Sequence, residues 1–392
     1  MGWASSFTLG PRGRVVHPSF LGSRAAGAPP GGAAYGTSVS DHGTFTRCRA
    51  RIERACELQA DARALRRQVL EELRHAVAFD AHAWLLTDPA TAVGAAPVAD
   101  VPWMGELPTQ IRLKYATAVN RWTALGESSV ALLHKATSGE LAQSVVWRDL
   151  LAGHGVSDVA SVVFRDRFGC WAFLELWRIG STARFDAAEA AFLAELAPPL
   201  TRALRRCQAA TFAVRPARDQ PRLGPVVLVL SPDLRVRSQT PQTQEYLRTL
   251  VPPPDGRAPI PAVAYNVAAQ LLAVEDGIDA NPAAARVHVT DGVWMTARAA
   301  RLDGPAAVRE QDIVVTLEQS SAVERVDLFC RAFGLTPRER ELIEHLVAGQ
   351  DTREIARRMF LSENTVQDHL KAIFAKTATR SRRALLAQAR GA

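Results

Sequence analysis

The 392-residue sequence lacks any apolar run long enough to cross a lipid bilayer. Its longest uninterrupted apolar runs, such as Val226–Leu230, have the length of a β-strand, whereas a membrane-spanning helix needs about 20 apolar residues. The N-terminus also lacks a basic segment followed by an apolar one, which is the pattern of a secretory signal. We therefore expect a cytoplasmic protein that does not enter the membrane.

Cysteine is scarce, and its spacing excludes two classes of small stabilised domain. The five cysteines are scattered without a CxxC pair, so neither a disulfide scaffold nor a structural zinc site is indicated. Five histidines in the upstream part of the chain lack the spacing of metal ligands: His42, His75, His82, His134 and His154. We expect reduced thiols and no metal.

The motifs of the common catalytic and nucleotide-binding sites are missing. The sequence contains no GxxxxGK[ST] phosphate loop, no GxSxG, no HExxH and no EF-hand loop. The GHG at Gly153–Gly155 lacks the third glycine of a dinucleotide fingerprint. We therefore expect no catalytic residues, no cofactor and no enzyme activity.

Length and charge point to several domains with different partners. A chain of 392 residues exceeds one ordinary core and predicts two or three domains. Residues 331–392 hold 12 Lys and Arg against 7 Asp and Glu, so the C-terminal end is basic. A basic end on a less basic chain is typical of a nucleic-acid-binding domain joined to domains of another kind.

The N-terminal half of the sequence indicates a disordered tail followed by an α+β domain. Residues 1–45 are rich in Gly, Pro, Ser and Ala, and we interpret them as a dispensable extension rather than a functional arm. Apolar residues then recur at helical spacing from Thr46 to Phe79. A strand at Ala83–Thr87, a long loop over 88–108, a strand hairpin at 159–178 and a helix capped by Asp186 follow.

A second α+β unit is predicted after residue 224. Two short strands form a hairpin over Ser231-Pro232-Asp233, two helices follow, and three strands complete the unit. Asp291–Gly292 is a typical two-residue hairpin turn between the first two of those strands. This order predicts a small five-stranded antiparallel sheet with helices on one face.

The last 60 residues predict four short helices, each with its own start signal. The N-caps are Thr336, Asp351, Ser362 and Ser381, and the first two stand three residues before a glutamate, which forms a capping box. The tight segment Met359–Ser362 between the second and third helices gives a helix-turn-helix geometry. Val366, Leu370 and Ile373 form the buried stripe of the third helix, which leaves its opposite polar face exposed.

This C-terminal segment resembles the LuxR-type helix-turn-helix family of bacterial transcription regulators. The resemblance rests on TPRE at Thr336–Glu339, the Gly349 turn, EIA at Glu354–Ala356 and LSENTV at Leu361–Val366, followed by His369, Ile373 and Lys376. It implies that Gln367, Asp368 and Lys371 face base edges. It further implies that Thr365, His369 and Lys376 lie near phosphates, and the following basic cluster adds Arg380 and Arg382 to that set.

Three positions depart from the family pattern. Asp368 is acidic, which repels phosphate but suits the amino group of cytosine in the major groove. Gln367 stands where the family often has lysine, which lowers the expected non-specific affinity for DNA. Ala378 replaces the glycine that often follows the third helix.

The upstream regions resemble sensor domains. SVVFRDRFGCWAFLELWR at Ser161–Arg178 and FDAAEAAFLAELAPPLTRAL at Phe185–Leu204 are similar to a GAF domain, and residues 224–318 more distantly to a PAS domain. Four tryptophans either line a GAF-type pocket or, as we favour, pack in the core: Trp84, Trp147, Trp171 and Trp177. The predicted organisation is a tail at 1–45, a GAF-like domain at 46–207, a linker at 208–223, a PAS-like domain at 224–320, a linker helix at 321–333 and the helix-turn-helix domain at 334–392.

These features predict a sequence-specific DNA-binding transcriptional regulator of the actinobacterial one-component type. The expected partners are a two-fold promoter site in double-stranded DNA, a second copy of the chain, RNA polymerase and an unidentified small-molecule effector, with no membrane. The alternative is a ligand-binding or protein-interaction module whose DNA-binding domain is degenerate, which the residues Gln367 and Asp368 motivate.

Overall fold

The computed structural model describes residues 39–126, 128–180, 182, 184–213, 226–250, 261–289, 292–304 and 307–391. The predicted tail falls outside these ranges up to residue 38, but its last seven residues belong to the first helix. That helix begins at Val39, not at Thr46, because the ring of Phe45 stacks on Phe192 with 4.5 Å between centroids. The prediction of disorder for residues 39–45 is therefore wrong.

The first sheet region, residues 39–213, contains a five-stranded antiparallel sheet. Its strands run in the order β2-β1-β5-β4-β3, and the long central hairpin confirms the strands predicted around residues 159–178. The strands are β1 Ala81–Thr87, β2 Gly94–Asp100, β3 Val130–Leu132, β4 Val156–Asp166 and β5 Gly169–Ile179.

Five α-helices accompany this sheet. They are α1 Val39–Leu58, α2 Ala62–Leu73, α3 Leu107–Ala116, α4 Leu133–Ala136 and α5 Ala187–Ala210, with 3-10 turns at Met104–Glu106 and Leu141–Gln143 and a π-helical turn at Trp147–Leu151. Asp186 caps α5 in a complete capping box with Glu189, as the sequence predicts. One sheet face packs on α1, α2 and α5, where Trp84 stacks on Phe164.

Two predictions in this region are wrong. The segment expected to be helical from Thr46 to Phe79 contains two helices, because α1 ends at Leu58 and Asp61 caps the start of α2. The loop expected over residues 88–108 contains β2, whose residues GAAPVAD have few strand-forming side chains. Pairing of β2 with β1 makes it a strand, so a tertiary contact overrides the local preference.

The second sheet region, residues 226–319, has the predicted five-stranded antiparallel sheet. Its order is β7-β6-β10-β9-β8. Its elements are β6 Val226–Leu230, β7 Val236–Gln239, α6 Thr243–Leu250, α7 Ala262–Glu275, β8 Ala284–His288, β9 Trp294–Arg301 and β10 Ile313–Gln319, with a 3-10 turn at Val308–Glu310. Thr290 and Asp291 lie outside the described residues, so the expected Asp291–Gly292 turn is not tested.

The two sheet regions share a buried interface around α7. The side chains of Arg121 and Asp279 are almost fully buried and form an ion pair at 2.8 Å, and Arg121 also donates to Gln270 of α7. The start of the predicted linker is structured as well. Phe212 is buried and stacks on Trp294 of β9, which ties the end of α5 to the second sheet.

The linker helix α8, Ala322–Ala332, begins at a capping box between Ser321 and Glu324 and packs in the main core.

Asp327 of α8 belongs to a cluster of paired charges, the Arg286 junction, which consists of Asp88, Arg286, Asp327, Arg331 and Arg340. Asp327 accepts from Arg286 of β8 at 2.8 Å and from Arg331 of its own helix at 3.0 Å, and it pairs with Arg340 beyond α8 at 2.7 Å. Arg286 in turn forms a bidentate pair with Asp88 at 2.7 Å.

This junction joins segments that are far apart in the sequence. Burial opposes the charge on Arg286, yet the hydrogen bonds that it donates to Asp88 and Asp327 raise its pKa above the ordinary value. Burial likewise opposes ionisation of Asp327, yet the bond and charge of Arg286 leave its pKa below the ordinary value. Both ends of the pair therefore stay charged.

The C-terminal end is all helical, as predicted. It contains α9 Pro337–Val347, α10 Thr352–Arg358, α11 Glu363–Thr377 and α12 Arg382–Arg390. The four predicted caps all accept from the helix backbone, and Thr336 and Asp351 form complete capping boxes. The multidomain α+β architecture with a helical C-terminal domain is thus confirmed. Within the described ranges, no helix is both long and apolar enough to span a membrane.

We predict that Asp88→Asn lowers the free energy of unfolding by about 1.5–3 kcal/mol, because the buried Arg286 loses its bidentate carboxylate and keeps only Asp327 as a charged partner. Urea unfolding followed by circular dichroism measures the change. Glu195→Gln is the matched control, since it removes a carboxylate from the exposed pair with Arg49 and is expected to cost less than about 1 kcal/mol. Equal costs for the two variants would contradict the special role of Asp88.

We predict that Ala378→Gly raises the free energy of unfolding by about 0.5–1 kcal/mol. Ala378 ends α11 at φ 53°, a left-handed conformation that costs a residue with a Cβ atom about 1–2 kcal/mol and costs glycine little. Gly349→Ala is the reverse control. Gly349 has φ 82° with open space around it, so the alanine is expected to destabilise through the backbone alone. An unchanged free energy of unfolding in Ala378→Gly would show that the left-handed backbone of Ala378 is not strained.

Candidate nucleic-acid interface

Helix α11 has one buried face and one exposed polar face. Val366, Leu370 and Ile373 are at most 1% exposed and pack in the main core, as their spacing predicts. Ser362 caps the helix by accepting from the amide of Thr365. The opposite face has no described part of the chain over it, so a duplex can reach it together with the partly positive helix N-terminus.

The three residues predicted at base edges lie together on this face. Gln367, Asp368 and Lys371 are all exposed. The Lys371 ammonium donates to the Asp368 carboxylate at 3.0 Å, although both side chains are about three-quarters exposed, at 76% and 73%. A donor and an acceptor are therefore held side by side in the middle of the exposed face.

The residues predicted at phosphates are more scattered. Thr365 is half-buried and its hydroxyl contacts that of Ser362 at 2.8 Å, while His369 is half-buried beside the exposed face. Arg380 is exposed just after α11. Arg382 is half-buried at the start of α12, and its guanidinium donates to the hydroxyl of Thr352.

Lys376 has a partner inside the protein. Its ammonium donates to both carboxylate oxygens of Glu339, at 2.9 and 2.6 Å, so it joins α11 to α9. Glu339 is only 4% exposed. Burial raises the cost of its charge, but the hydrogen bond from Lys376 and the cap at Thr336 leave its pKa below the ordinary value. The sequence shows the charge of Lys376 but not this partner.

Phe360 is a candidate residue of this interface that the sequence pattern does not predict. Its side chain is 94% exposed in the turn before α11, and its backbone is left-handed at φ 55°. The apolar run Met359–Leu361 gives no signal that its middle residue faces outward, because Met359 beside it is buried.

Helix α12 packs against the linker helix α8. Its Leu385 and Ala389 are fully buried, as the sequence predicts, and Arg325 of α8 donates to the carbonyl of Gln388 at 3.4 Å. One side of α12 is therefore covered by α8, and Leu386 stays partly exposed on the helix. The C-terminal helices are thus joined to the upstream regions through α8.

A large cavity lies over the second face of the first sheet. Its volume is 1390 Å³, and its walls include the sheet residues Phe173, Glu175 and Trp177, with Lys114 from α3 and Asn266 from α7. Inside it, the Lys114 ammonium and the Glu175 carboxylate form an ion pair at 2.5 Å. Trp177 lines the cavity but is only 1% exposed and packs with Leu150 and Leu151, and Trp147 packs partly buried against the same cluster. Trp84 and Trp171 pack in the main core. Among the described residues, no His, Cys, Asp and Glu cluster could hold a metal ion.

Comparison with known proteins identifies the C-terminal domain. Residues 334–389 match the family described as bacterial regulatory proteins, luxR family. Over 48 residues, or 12% of this chain, the sequence is 48% identical to the CsgBAC operon transcriptional regulatory protein of Escherichia coli, covering 22% of that protein. Over 76 residues, or 17% of this chain, it is 40% identical to the probable HTH-type transcriptional regulator GfsR of Streptomyces halstedii, covering 31% of it.

The chain spans only about a fifth to a third of the length of these two curated relatives. A crystal structure of Escherichia coli SdiA aligns over 88% of this chain and 98% of its own, at 13% identity and a TM-score of 0.34. A score this low does not establish a shared fold.

The motif spacing, the four capped helices and the match over residues 334–389 agree with one another. Residues 334–389 of this protein are a helix-turn-helix domain of the luxR family of bacterial regulatory proteins.

Proposed function

We propose that this protein is a sequence-specific DNA-binding transcriptional regulator. The observation that carries the proposal is the exposed polar face of α11 within a luxR-family domain. A helix of this kind enters the major groove with the residues of its first turns on the base edges. Gln367, Asp368 and Lys371 are the proposed base contacts.

Phosphate contacts are proposed on either side of these residues. Thr365 and His369 flank the base-contacting face, and Arg380 and Arg382 follow it. The basic residues near the end of α10, Arg357 and Arg358, are also exposed. We assign Lys376 mainly to the contact with Glu339, because the carboxylate that accepts from its ammonium through both oxygens already compensates the charge that would attract a phosphate.

A homodimer on a two-fold DNA site is the proposed assembly. Two copies related by two-fold symmetry match the symmetry of a promoter half-site pair. The dimer surfaces that we propose are the fourth C-terminal helix, α12, and the upstream regions. Because α12 is already partly covered by α8, the upstream regions or a shift of α8 have to contribute. RNA polymerase is a further proposed partner, the cytoplasm is the proposed location, and no enzyme activity is proposed.

The upstream regions are proposed to respond to a small-molecule effector. The 1390 Å³ cavity is large enough for one, and its walls include Ala262 and Asn266 of α7 in the second sheet region. An occupant at that end of the cavity would contact both sheet regions. The buried pair Arg286–Asp88, with Asp327 on α8, provides a continuous route from those regions to α9.

The alternative function is a ligand-binding or protein-interaction module with a degenerate DNA-binding domain. The acidic Asp368 and the uncharged Gln367 favour it, because they reduce the attraction of α11 to phosphate. A gel shift against pooled genomic fragments at low salt separates the two functions. Retained fragments support the regulator, and no retained fragment supports the alternative.

With a retained fragment as the target, Lys371→Ala is expected to weaken specific binding by about 1–3 kcal/mol, because it removes a donor to a base edge. Fluorescence anisotropy on that fragment and on random DNA measures the loss. Arg235→Ala is the control, since it removes an exposed cation from the turn between β6 and β7. An equal loss on both DNAs would contradict a base contact by Lys371.

Lys376→Met is expected to lower the free energy of unfolding at pH 7 by about 1–3 kcal/mol, because the buried carboxylate of Glu339 loses its donor. The pKa of Glu339 is lower in the folded protein than in the unfolded chain, where it is about 4.3, so its ionised carboxylate stabilises the fold at pH values above 4.3. This stability is lost as the pH falls through the folded pKa. The destabilisation by Lys376→Met should therefore shrink in acid, as urea unfolding at pH 7 and pH 4 will show.

The same variant separates the two roles of Lys376. If Lys376 mainly binds Glu339, the slope of log K for DNA against log salt stays close to that of the unmodified protein. A phosphate contact, as the family resemblance implies, would reduce the slope by about 1. A reduced slope without any loss of stability would contradict our assignment.

A further inference from the structure

The recognition face of α11 has no surplus of positive charge. The helix contains two acidic residues, Glu363 and Asp368, and two lysines, and Lys376 is paired with Glu339. Asp368 therefore lies on the proposed groove face with one cation, Lys371, in contact with it. A carboxylate brought against phosphates is repelled, so its presence on this face has to be offset by a specific hydrogen bond.

Only two groups in the major groove donate to a carboxylate. They are the N4 amino group of cytosine and the N6 amino group of adenine. The adenine amino group lies between two acceptors, N7 of the same base and O4 of the paired thymine, and both repel a carboxylate. The cytosine amino group lies at the end of the row, beyond O6 and N7 of the paired guanine.

The Asp368–Lys371 pair has the complementary arrangement. Its acceptor and its donor are 3.0 Å apart. Cytosine N4 and guanine O6 are hydrogen-bonded to each other across the base pair, so they are also about 2.9 Å apart. The carboxylate matches the donor end of the C·G edge, and the ammonium matches the two adjacent acceptors of guanine. In an A·T pair the donor lies between two acceptors, so a carboxylate on that donor is repelled from both sides.

We infer that Asp368 and Lys371 act together to select one C·G base pair in each half-site, with Asp368 on the cytosine and Lys371 on the guanine. Asp368 is a specificity-determining residue that gives up general affinity for DNA in exchange for this discrimination. The inference rests on the proposed function and adds to it the identity of one base pair.

The test is selection of the full-length protein on a library of random duplexes, followed by sequencing of the bound fraction. The unmodified protein is expected to enrich a two-fold site with an invariant C·G pair in each half. Asp368→Ala is expected to lower the preference for C·G at that position by about tenfold or more. The same variant is expected to bind random DNA more tightly, because a negative charge has been removed.

Two further variants complete the design. Asp368→Asn is expected to move the preference at that position toward A·T, because an amide pairs with adenine N6 and N7. Glu363→Ala is the matched control, since it removes the same charge from the exposed first turn of α11. It is expected to raise affinity for random DNA while the C·G preference stays unchanged. Circular dichroism melting confirms that the exposed substitutions leave the fold intact.

The outcomes separate the inference from the function beneath it. An enriched site whose C·G preference survives Asp368→Ala overturns the inference and leaves the regulator function standing. An enriched site with no C·G pair under this helix does the same. No enrichment of any sequence by the unmodified protein overturns both. Loss of the C·G preference in Asp368→Ala but not in Glu363→Ala supports the inference, because both variants remove one negative charge and only the first removes the proposed acceptor for cytosine.

Discussion

The bidentate pair between Arg286 and Asp88, extended to Asp327, is the interaction on which the arrangement of the chain depends. It joins the first sheet region, the second sheet region and the linker helix in one buried junction, and Arg340 brings in the DNA-binding domain. Each of these charges would be costly to bury alone. The junction therefore favours a single relative placement of the segments that supply it.

This placement bears on how the proposed regulator would work. The linker helix α8 packs in the same core as the DNA-binding helices and also contacts α5, so it is not a flexible tether. The placement leaves the polar face of α11 exposed while it covers one side of α12. In the proposed function, DNA contact is open in this state and dimerisation is the step that upstream changes control. A ligand acts on such a step only through a difference in affinity between two arrangements.

The parts of the fold that follow local rules were predictable from the sequence. Capping boxes at Asp186, Thr336 and Asp351 mark helix starts that the structure confirms, and the spacing of Val366, Leu370 and Ile373 gives the buried face of α11. The parts that depend on distant partners were not predictable. The strand β2 has a loop-like composition and exists because β1 pairs with it. The residues of the Arg286 junction come from sequence positions that no local pattern connects.

The candidate site shows the same division. The spacing of the buried stripe located the polar face of α11, and the structure brings Gln367, Asp368 and Lys371 together there. The resemblance to the luxR family added the expectation that these residues face base edges, but neither the spacing nor the resemblance shows how that face is held by its neighbours. It could not show that Lys376 is held by Glu339, since that contact depends on how α9 packs on α11. Nor could an apolar run reveal that Phe360 is exposed, because outward orientation there follows from the left-handed turn.

The central claim is that the exposed face of α11 lies against base edges. Photocrosslinking tests it most directly, with a photoreactive side chain placed at Gln367 of the full-length protein and, separately, at the exposed Arg309 of the second sheet region. The account predicts crosslinks from position 367 to bases of a retained genomic fragment and none from position 309. Retention of the fragment with no crosslink from position 367 would contradict it.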